Sequence, residues 1–271
     1  MKKLALSVSV SGWRATILAG IAATGMTAIA APAVAGDASV RFGTGFDFST
    51  GKFGDSESTD VLYIPATMKV AKGAWSFRLI VPYIRIEGPG TVIGGGDTGP
   101  IVRGPDSREV TVEDGLGDIV ATAGYGFKKD IGGVFFDLSA KIKTPTGSVA
   151  KGLSTGKADI TLQLDAARRF GKLSIFATAG YRFVGEPSAF KLKNTPLGSV
   201  GFGYQIVPRV SVGAFFDARG AASPTATDPR ELTGFASWRL SKNLTLQLYS
   251  VLGLSDGSPD FGSGLQITKR F

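Results

Sequence analysis

The feature that most constrains this chain is a strict alternation of apolar and polar residues. Residues 158–184, ADITLQLDAARRFGKLSIFATAGYRFV, hold two such runs joined by a tight turn at Gly171-Lys172. Successive side chains of a strand point to opposite faces, so each run forms one apolar face and one polar face. We expect the two runs to pair as a β-hairpin.

The same alternation continues to the last residue and predicts about 12 strands, most near the ~9–11 residues that a tilted strand needs to cross a bilayer. The predicted connections alternate between short turns and longer segments rich in Gly, Pro, Ser and Asp. Outer-membrane barrels have short periplasmic turns, longer outer loops and an even strand number. The five short turns lie at 72–74, 128–132, 171–172, 207–209 and 241–243.

Aromatic residues on the apolar faces fall at two levels, as expected for the aromatic girdles of a membrane barrel. Ordinary core packing in a soluble sandwich would explain single members of this set but not both levels together. Lys269 and Arg168 share this face near the short turns, where their stems can snorkel to water. Trp75, Phe127, Phe170, Tyr204, Trp238 and Phe271 lie beside the short turns, and Tyr83, Tyr181 and Phe183 lie toward the opposite rim.

The amino terminus has the pattern of a secretory signal peptide. Basic residues precede an apolar stretch at 15–31, and Ala33-Val34-Ala35 supplies a cleavage site. We predict a signal peptide over 1–35 and a barrel domain over 36–271. The alternative is an uncleaved anchor helix, which Gly20 and Pro32 disfavour.

These patterns predict an all-β transmembrane antiparallel barrel in the outer membrane of a Gram-negative bacterium. In hydrocarbon every backbone polar group must be paired, so only helices and closed sheets span a bilayer. Apolar side chains then face outer-membrane lipid and polar ones face the lumen. The expected partners are that lipid, the barrel-assembly machinery through the last strand ending in Phe271, and an unidentified small solute. Nucleic acid is not expected, because the basic residues are spread along strands rather than clustered.

The composition argues against an enzyme. The chain contains no His and no Cys, which excludes Ser–His and Cys–His nucleophile–base pairs and the usual imidazole or thiolate metal sites. The acidic stretch at 113–118 lacks the spacing of an EF-hand loop. The Gly-rich stretch at 94–97 lacks the Lys-Ser/Thr of a phosphate-binding loop. We expect no catalytic residues, no cofactor and no metal.

The polar faces supply candidate lumen-lining residues, with a small excess of basic ones. They could line a watery pathway that favours anions or polarisable solutes, or they could pair across strands and plug the lumen. Eight strands leave a filled interior and 16–18 an open channel, so 12 is intermediate. The longest loop, about 87–117, could fold inward or stand in water. The candidates are Arg41, Lys69, Arg78, Asp118, Asp137, Lys141, Lys143, Asp159, Gln163, Asp165, Arg169, Arg182, Asp217, Arg219, Arg239, Gln247 and Arg270.

Three segments, GLGDIVATAGYGF (115–127), KTPTG (143–147) and the stretch at 154–185, together resemble the family of outer-membrane proteins named for the MetA-pathway of phenol degradation. The resemblance implies a barrel channel or transporter, including one for aromatic or other small hydrophobic compounds. It carries over no functional residues, because the shared positions are turn glycines, a loop proline and girdle aromatics. We therefore expect a channel for passive passage of small solutes; the alternative is a non-conducting structural or surface-receptor barrel that acts through its loops.

Overall fold

The computed structural model describes residues 38–94, 100–102, 109–127 and 130–271. The predicted signal peptide, two parts of the 87–117 loop and two residues of the 128–132 turn lie outside these ranges. Within them, no helix is both long and apolar enough to cross a membrane.

The described residues form fifteen strands, most of which carry the predicted alternation of exposed and buried side chains. Their bounds are β1 Ser39–Gly51, β2 Thr59–Lys72, β3 Trp75–Gly88, β4 Val92–Ile93, β5 Ile101–Val102, β6 Thr111–Leu116, β7 Ile119–Gly126, β8 Val134–Thr144, β9 Asp159–Phe170, β10 Leu173–Phe183, β11 Thr195–Val207, β12 Val210–Arg219, β13 Arg230–Arg239, β14 Leu244–Gly253 and β15 Phe261–Arg270.

Every strand except β4 and β5 belongs to one antiparallel sheet that closes on itself. Neighbours in sequence are neighbours in the sheet, and β1 pairs with β15, with Arg41 opposite Arg270. Closure pairs the backbone of the first and last strands and leaves no free edge between them. The short turns lie at one end, called here the short-turn end, and the longer loops at the other, called the long-loop end.

β6 and β7 together occupy one position in the barrel wall. Both pair with β3, which places Leu116 opposite Tyr83 and Val120 opposite Ile80. Between these pairs β3 has two residues and the other side has three, so an extra residue forms a β-bulge. The bulge shifts the alternation and leaves Asp118 fully buried. Counted this way, the sheet is a closed 12-stranded barrel, which confirms the predicted fold class.

The outer face is apolar and carries the aromatic residues that the sequence places at its two ends. Trp75 and Trp238 are about half exposed, and Trp75 packs edge-on against Tyr125 with ring centroids 5.0 Å apart. The Lys269 ammonium lies 4.9 Å from the ring centroid of Phe271, and the Arg168 guanidinium lies 4.7 Å from that of Phe170. Both predicted outward cations therefore cover an aromatic ring at the short-turn end.

Two loops fold into the long-loop end of the barrel. In the 87–117 loop, β4 and β5 pair as a small hairpin whose four side chains are buried. Val92 and Val102 pack against Phe53, which is itself buried. The Thr91 hydroxyl donates a hydrogen bond of 2.6 Å to Asp55, and the Gly94 N–H donates one of 3.0 Å to the carbonyl of Gly152 in the second loop. The described part of the longest loop thus narrows the mouth.

Candidate functional site

The structure places the seventeen predicted lumen residues at three levels of exposure. Nine are buried: Asp118, Lys141, Lys143, Asp159, Gln163, Asp165, Arg182, Asp217 and Gln247. Arg41, Lys69, Arg78, Asp137, Arg219 and Arg239 are half-buried, and Arg169 and Arg270, close to the short-turn end, are exposed. Charges in such numbers remain buried only when they are paired or hydrogen-bonded.

A cluster of two acids and two bases lies at the long-loop end of β7–β10. Lys143 Nζ donates to Asp118 Oδ2 at 2.7 Å and lies 3.4 Å from Asp159 Oδ2. Arg182 Nη2 donates to the same Asp159 oxygen at 2.6 Å. Backbone N–H groups of the adjacent loops, from Gly147 and Gly185, donate to the remaining carboxylate oxygens at 3.0 and 2.9 Å. The cluster is electrically balanced and ties the loops to the wall.

A second buried pair joins β12 to β13 at the same end. Arg219 donates to Glu231, a residue outside the predicted set, which is only 3% exposed. Its position could have been found from the alternation, because Glu231 shares the face of Thr233. These pairs are what the plugging alternative anticipated, at least for this end of the lumen.

Toward the short-turn end the charges are segregated by sign. Arg270, Arg41, Lys69 and Arg78 lie directly opposite one another on four neighbouring strands, β15 and β1–β3. Asp137 and Asp165 lie opposite each other on β8 and β9. Like charges in direct cross-strand register are destabilising. This part of the lumen therefore has a row of four basic residues on β15 and β1–β3 and a pair of acidic residues on β8 and β9.

Several strands of the barrel also carry aromatic side chains that face the lumen and that the sequence analysis did not single out. Phe176, Phe215 and Phe235 pack in series, with ring centroids 6.4 and 6.3 Å apart. Tyr249 lies opposite Phe235 on the next strand. Tyr63 of β2 is half-buried beyond it, against the cluster that contains Ile84 and Leu153. These five aromatics, on β10, β12, β13, β14 and β2, are called the aromatic track.

Glycines of β11 and β12 make room for the track. A side chain at Gly213 would run into the ring of Phe235, and one at Gly201 would lie 2.6 Å from the ring of Phe176. Residues opposite one another step along the axis as they pass around a barrel, because barrel strands are tilted. The track therefore follows the wall obliquely, from Phe176 in β10 to Tyr63 near the long-loop end.

A cavity of about 110 Å³ lies at the end of the aromatic track that is nearer the long-loop end of the barrel. Tyr63, Ile80, Ile84, Tyr249 and Val251 are among its apolar and aromatic walls. Gly94 and Pro100 of the longest loop also lie on its lining. Polar groups on its lining include Asp47, Thr67, Arg78, Arg219 and Glu231.

The signal for these aromatics was present but was weaker than the signal for charge. Phe176 occupies an inward position between Ile175 and Ala177, and Phe215 one beside Phe216. A residue's polarity alone would assign such rings to the lipid face, whereas the strict alternation of faces along the strand assigns them to the lumen.

Within the described part of the chain, no group of three or more His, Cys, Asp or Glu residues could hold a metal ion.

Comparison with known families fits this architecture. The profile of the family described as the MetA-pathway of phenol degradation matches residues 31–271. The chain belongs to that family. The match covers the whole described barrel and bears out the resemblance seen in three segments of the sequence. No curated protein matches the chain in sequence.

Solved structures show the same fold for this family member. An outer-membrane channel from Pseudomonas putida F1 superposes with a TM-score of 0.69 at 14% identity, over 89% of this chain and 97% of that one. The β domain of the Bordetella autotransporter BrkA gives a TM-score of 0.51 at 12% identity, over 87% of this chain and 100% of the other. Both similarities concern the barrel itself, and they show that this chain has the same barrel fold.

Proposed function

We propose that this barrel is an outer-membrane channel that gives passive passage to small solutes and favours compact aromatic or other apolar compounds. The observation that carries the proposal is the aromatic track, which leads along the lumen wall to a partly apolar cavity. A lumen that only served structure could fill this space with short polar side chains. Rings instead present flat apolar surface, which binds apolar solutes by removing that surface from water.

The ion pairs at the long-loop end of the lumen fit the same proposal. The pairs formed by Lys143, Arg182 and Arg219 occupy the long-loop end, and the loop hairpin narrows the mouth. Hydrated ions and sugars would have to displace these contacts, whereas a small apolar solute can follow the aromatic track. We therefore expect a low ion conductance together with a measurable flux of apolar compounds.

The proposal is tested by uptake across an intact outer membrane, where the lipopolysaccharide leaflet slows apolar compounds. The mature chain is expressed in a porin-deficient Gram-negative host, and accumulation of labelled toluene is compared with that of a labelled disaccharide. Phe215→Gln, which makes the track polar, should slow toluene uptake several-fold. Phe202→Gln, on the lipid face of the neighbouring strand, is the matched control and should leave the rate unchanged. Equal rates with and without the wild-type barrel would contradict the proposal.

The buried ion pairs and the inward loop hairpin also favour a second candidate, a non-conducting barrel that acts through its outer loops. Planar-bilayer recordings and the uptake assay together separate the two. A barrel that neither conducts nor accelerates toluene uptake would support this second candidate. Toluene uptake with low conductance would support the channel.

The proposal extends to export and assembly. Residues 1–35 would be removed as a signal peptide after Ala35, which amino-terminal sequencing of the membrane-inserted protein tests. The last strand would be recognised by the barrel-assembly machinery through its terminal aromatic. Phe271 is 65% exposed, and its N–H donates a hydrogen bond of 2.8 Å to the Val40 carbonyl, so it lies on the lipid face at the barrel seam. Deletion of Phe271 should reduce the heat-modifiable, assembled fraction on gels.

A further inference from the structure

The cavity at the long-loop end of the aromatic track is lined by two residues that each have a buried oxygen atom without a hydrogen bond. These oxygens are Oδ1 of Asp47 and the hydroxyl of Tyr249. The Tyr249 side chain is only 6% exposed. Among the described residues, neither atom has a hydrogen-bond partner. Leaving a buried polar atom unsatisfied costs about 1–3 kcal/mol, so such atoms usually serve a ligand, a water or a functional role.

The two oxygens are close neighbours because of a glycine between their strands. Gly264 of β15 lies opposite Tyr249 on one side and opposite Asp47 on the other. A β-carbon added to Gly264 would contact the Tyr249 hydroxyl and would lie 2.5 Å from Asp47 Oδ1. The glycine thus brings an acceptor and a hydroxyl to the same point of the cavity wall.

The rest of the cavity selects for an apolar body of limited size. Ile80, Ile84 and Val251 supply aliphatic walls, and Tyr63 supplies an aromatic one. The volume of about 110 Å³ is close to that of one ring. For comparison, an apolar cavity of about 150 Å³ in another protein binds benzene.

We propose that this cavity is a binding site for a compact apolar molecule, of about one aromatic ring, that carries a single hydroxyl group. The ligand hydroxyl would donate a hydrogen bond to Asp47 Oδ1 and accept one from the Tyr249 hydroxyl, while the ring packs against Ile80, Ile84 and Tyr63. The inference rests on the proposed function, because it names the class of solute that would pause on the track. It adds a recognition pair, Asp47 and Tyr249, to a lumen otherwise described by its charges and rings.

Discrimination should be large for so small a ligand. A site built to hydrogen-bond a hydroxyl rejects the analogue that lacks it, because the polar groups of the site are then left unpaired. Leaving a buried polar group of the site unsatisfied costs about 1–3 kcal/mol, so we expect about tenfold preference for the hydroxylated compound. A carboxylate in the same place would have to leave water for a partly apolar cavity, which is costly for a charged group.

Equilibrium binding measured by fluorine NMR tests the site directly, with the full mature barrel in lipid nanodiscs. The probes are 4-fluorophenol, fluorobenzene and 4-fluorobenzoate, and empty nanodiscs correct for partition into lipid. The wild-type barrel should bind 4-fluorophenol about tenfold more tightly than either other probe. Tyr249→Phe and Asp47→Leu should each remove most of that preference while leaving fluorobenzene binding unchanged.

Tyr204→Phe is the matched control, since Tyr204 lies on the lipid face and should not affect any of the three probes. Equal binding of 4-fluorophenol and fluorobenzene by the wild type would overturn the inference, as would tighter binding of 4-fluorobenzoate, which would assign recognition to Arg78. Unchanged preference in both cavity variants, with their heat-modifiable fold intact, would also overturn it. The NMR experiment measures binding, whereas the toluene assay measures transport. A barrel that transports toluene without preferring the hydroxylated probe would contradict only this inference. A barrel that shows the preference but no toluene flux would contradict only the proposed channel.

Discussion

The buried cluster of Lys143, Asp118, Asp159 and Arg182 makes the sharpest prediction about stability. Asp159→Asn removes one charge but keeps an oxygen to accept from the Gly185 N–H. The side chains of the cluster are no more than 8% exposed, so the cost is that of a buried ion pair rather than a surface one. Breaking such a pair costs about 3–5 kcal/mol, because the remaining charge is left uncompensated.

The geometry places the expected loss at the lower end of that range. Lys143 keeps its contact with Asp118 at 2.7 Å, so it retains an acidic partner. Arg182 loses the carboxylate that it contacts at 2.6 Å. We therefore expect Asp159→Asn to lower the free energy of unfolding by about 3 kcal/mol. Adding Arg182→Gln removes the uncompensated charge and should restore about half of the loss.

The assay is reversible urea unfolding of the barrel in detergent micelles, followed by tryptophan fluorescence. The control is Glu186→Gln, which breaks a pair of 3.2 Å with Lys191 in which the side chains are 43% and 85% exposed. An exposed pair of this kind contributes about 0–1 kcal/mol. If Asp159→Asn lowered the free energy of unfolding no more than Glu186→Gln, the cluster would have to be hydrated, and its description as a buried ion-pair cluster would be wrong.

Three further predictions concern the lipid face, the track and the mouth. Leu248→Arg puts a charge near the middle of a lipid-facing strand and should lower the unfolding free energy by about 2–4 kcal/mol. Gly213→Ala should cost about 1–3 kcal/mol because the new β-carbon meets both the Phe202 carbonyl and the Phe235 ring. Phe235→Leu in the same chain removes only the ring contact and should relieve part of that cost, as urea unfolding would show. Ile93→Asp places a charge on the buried loop hairpin and should expel it, which a higher single-channel conductance in planar bilayers would reveal; unchanged conductance would mean that the hairpin does not narrow the path.

The strand pattern and the ends of the barrel were predictable from the sequence because the lipid imposes a simple rule. Each outward position in the hydrocarbon must be apolar and each hydrogen bond must be made within the sheet, so the alternation is unbroken along 159–166. The girdle rings, such as Trp75 and Trp238, follow from the same rule at the headgroup level. The family match over residues 31–271 and the closed 12-stranded sheet confirm this part of the prediction.

The interior was harder to predict because no such rule governs it. A lumen accepts charges, rings or glycine at any position, provided that neighbours compensate. Phe176 and Phe215 are apolar side chains facing inward, and only the glycine at 201 between them shows that rings fit there. Which acid pairs with which base depends on register between strands, and the sequence of one strand does not contain that register.

Two local features also lay beyond the alternation. The extra residue at 117–119 forms a bulge that shifts the alternation between β6 and β7, and a single inserted residue is easily read as a loop. The inward course of the 87–117 loop depends on contacts of Val92 and Val102 with Phe53, which is distant in sequence. Both are tertiary effects, in which partners from other strands decide the local conformation.

The most direct test of the central claim is the accessibility of spin labels along the middle of β9. The chain has no cysteine, so Leu162→Cys, Gln163→Cys and Leu164→Cys each give one labelling site. In reconstituted bilayers, labels at 162 and 164 should collide readily with lipid-dissolved oxygen and hardly with a water-soluble nickel complex, and the label at 163 should be shielded from oxygen. High nickel accessibility at 162 and 164, or no difference between the three positions, would contradict a barrel with its apolar face in lipid.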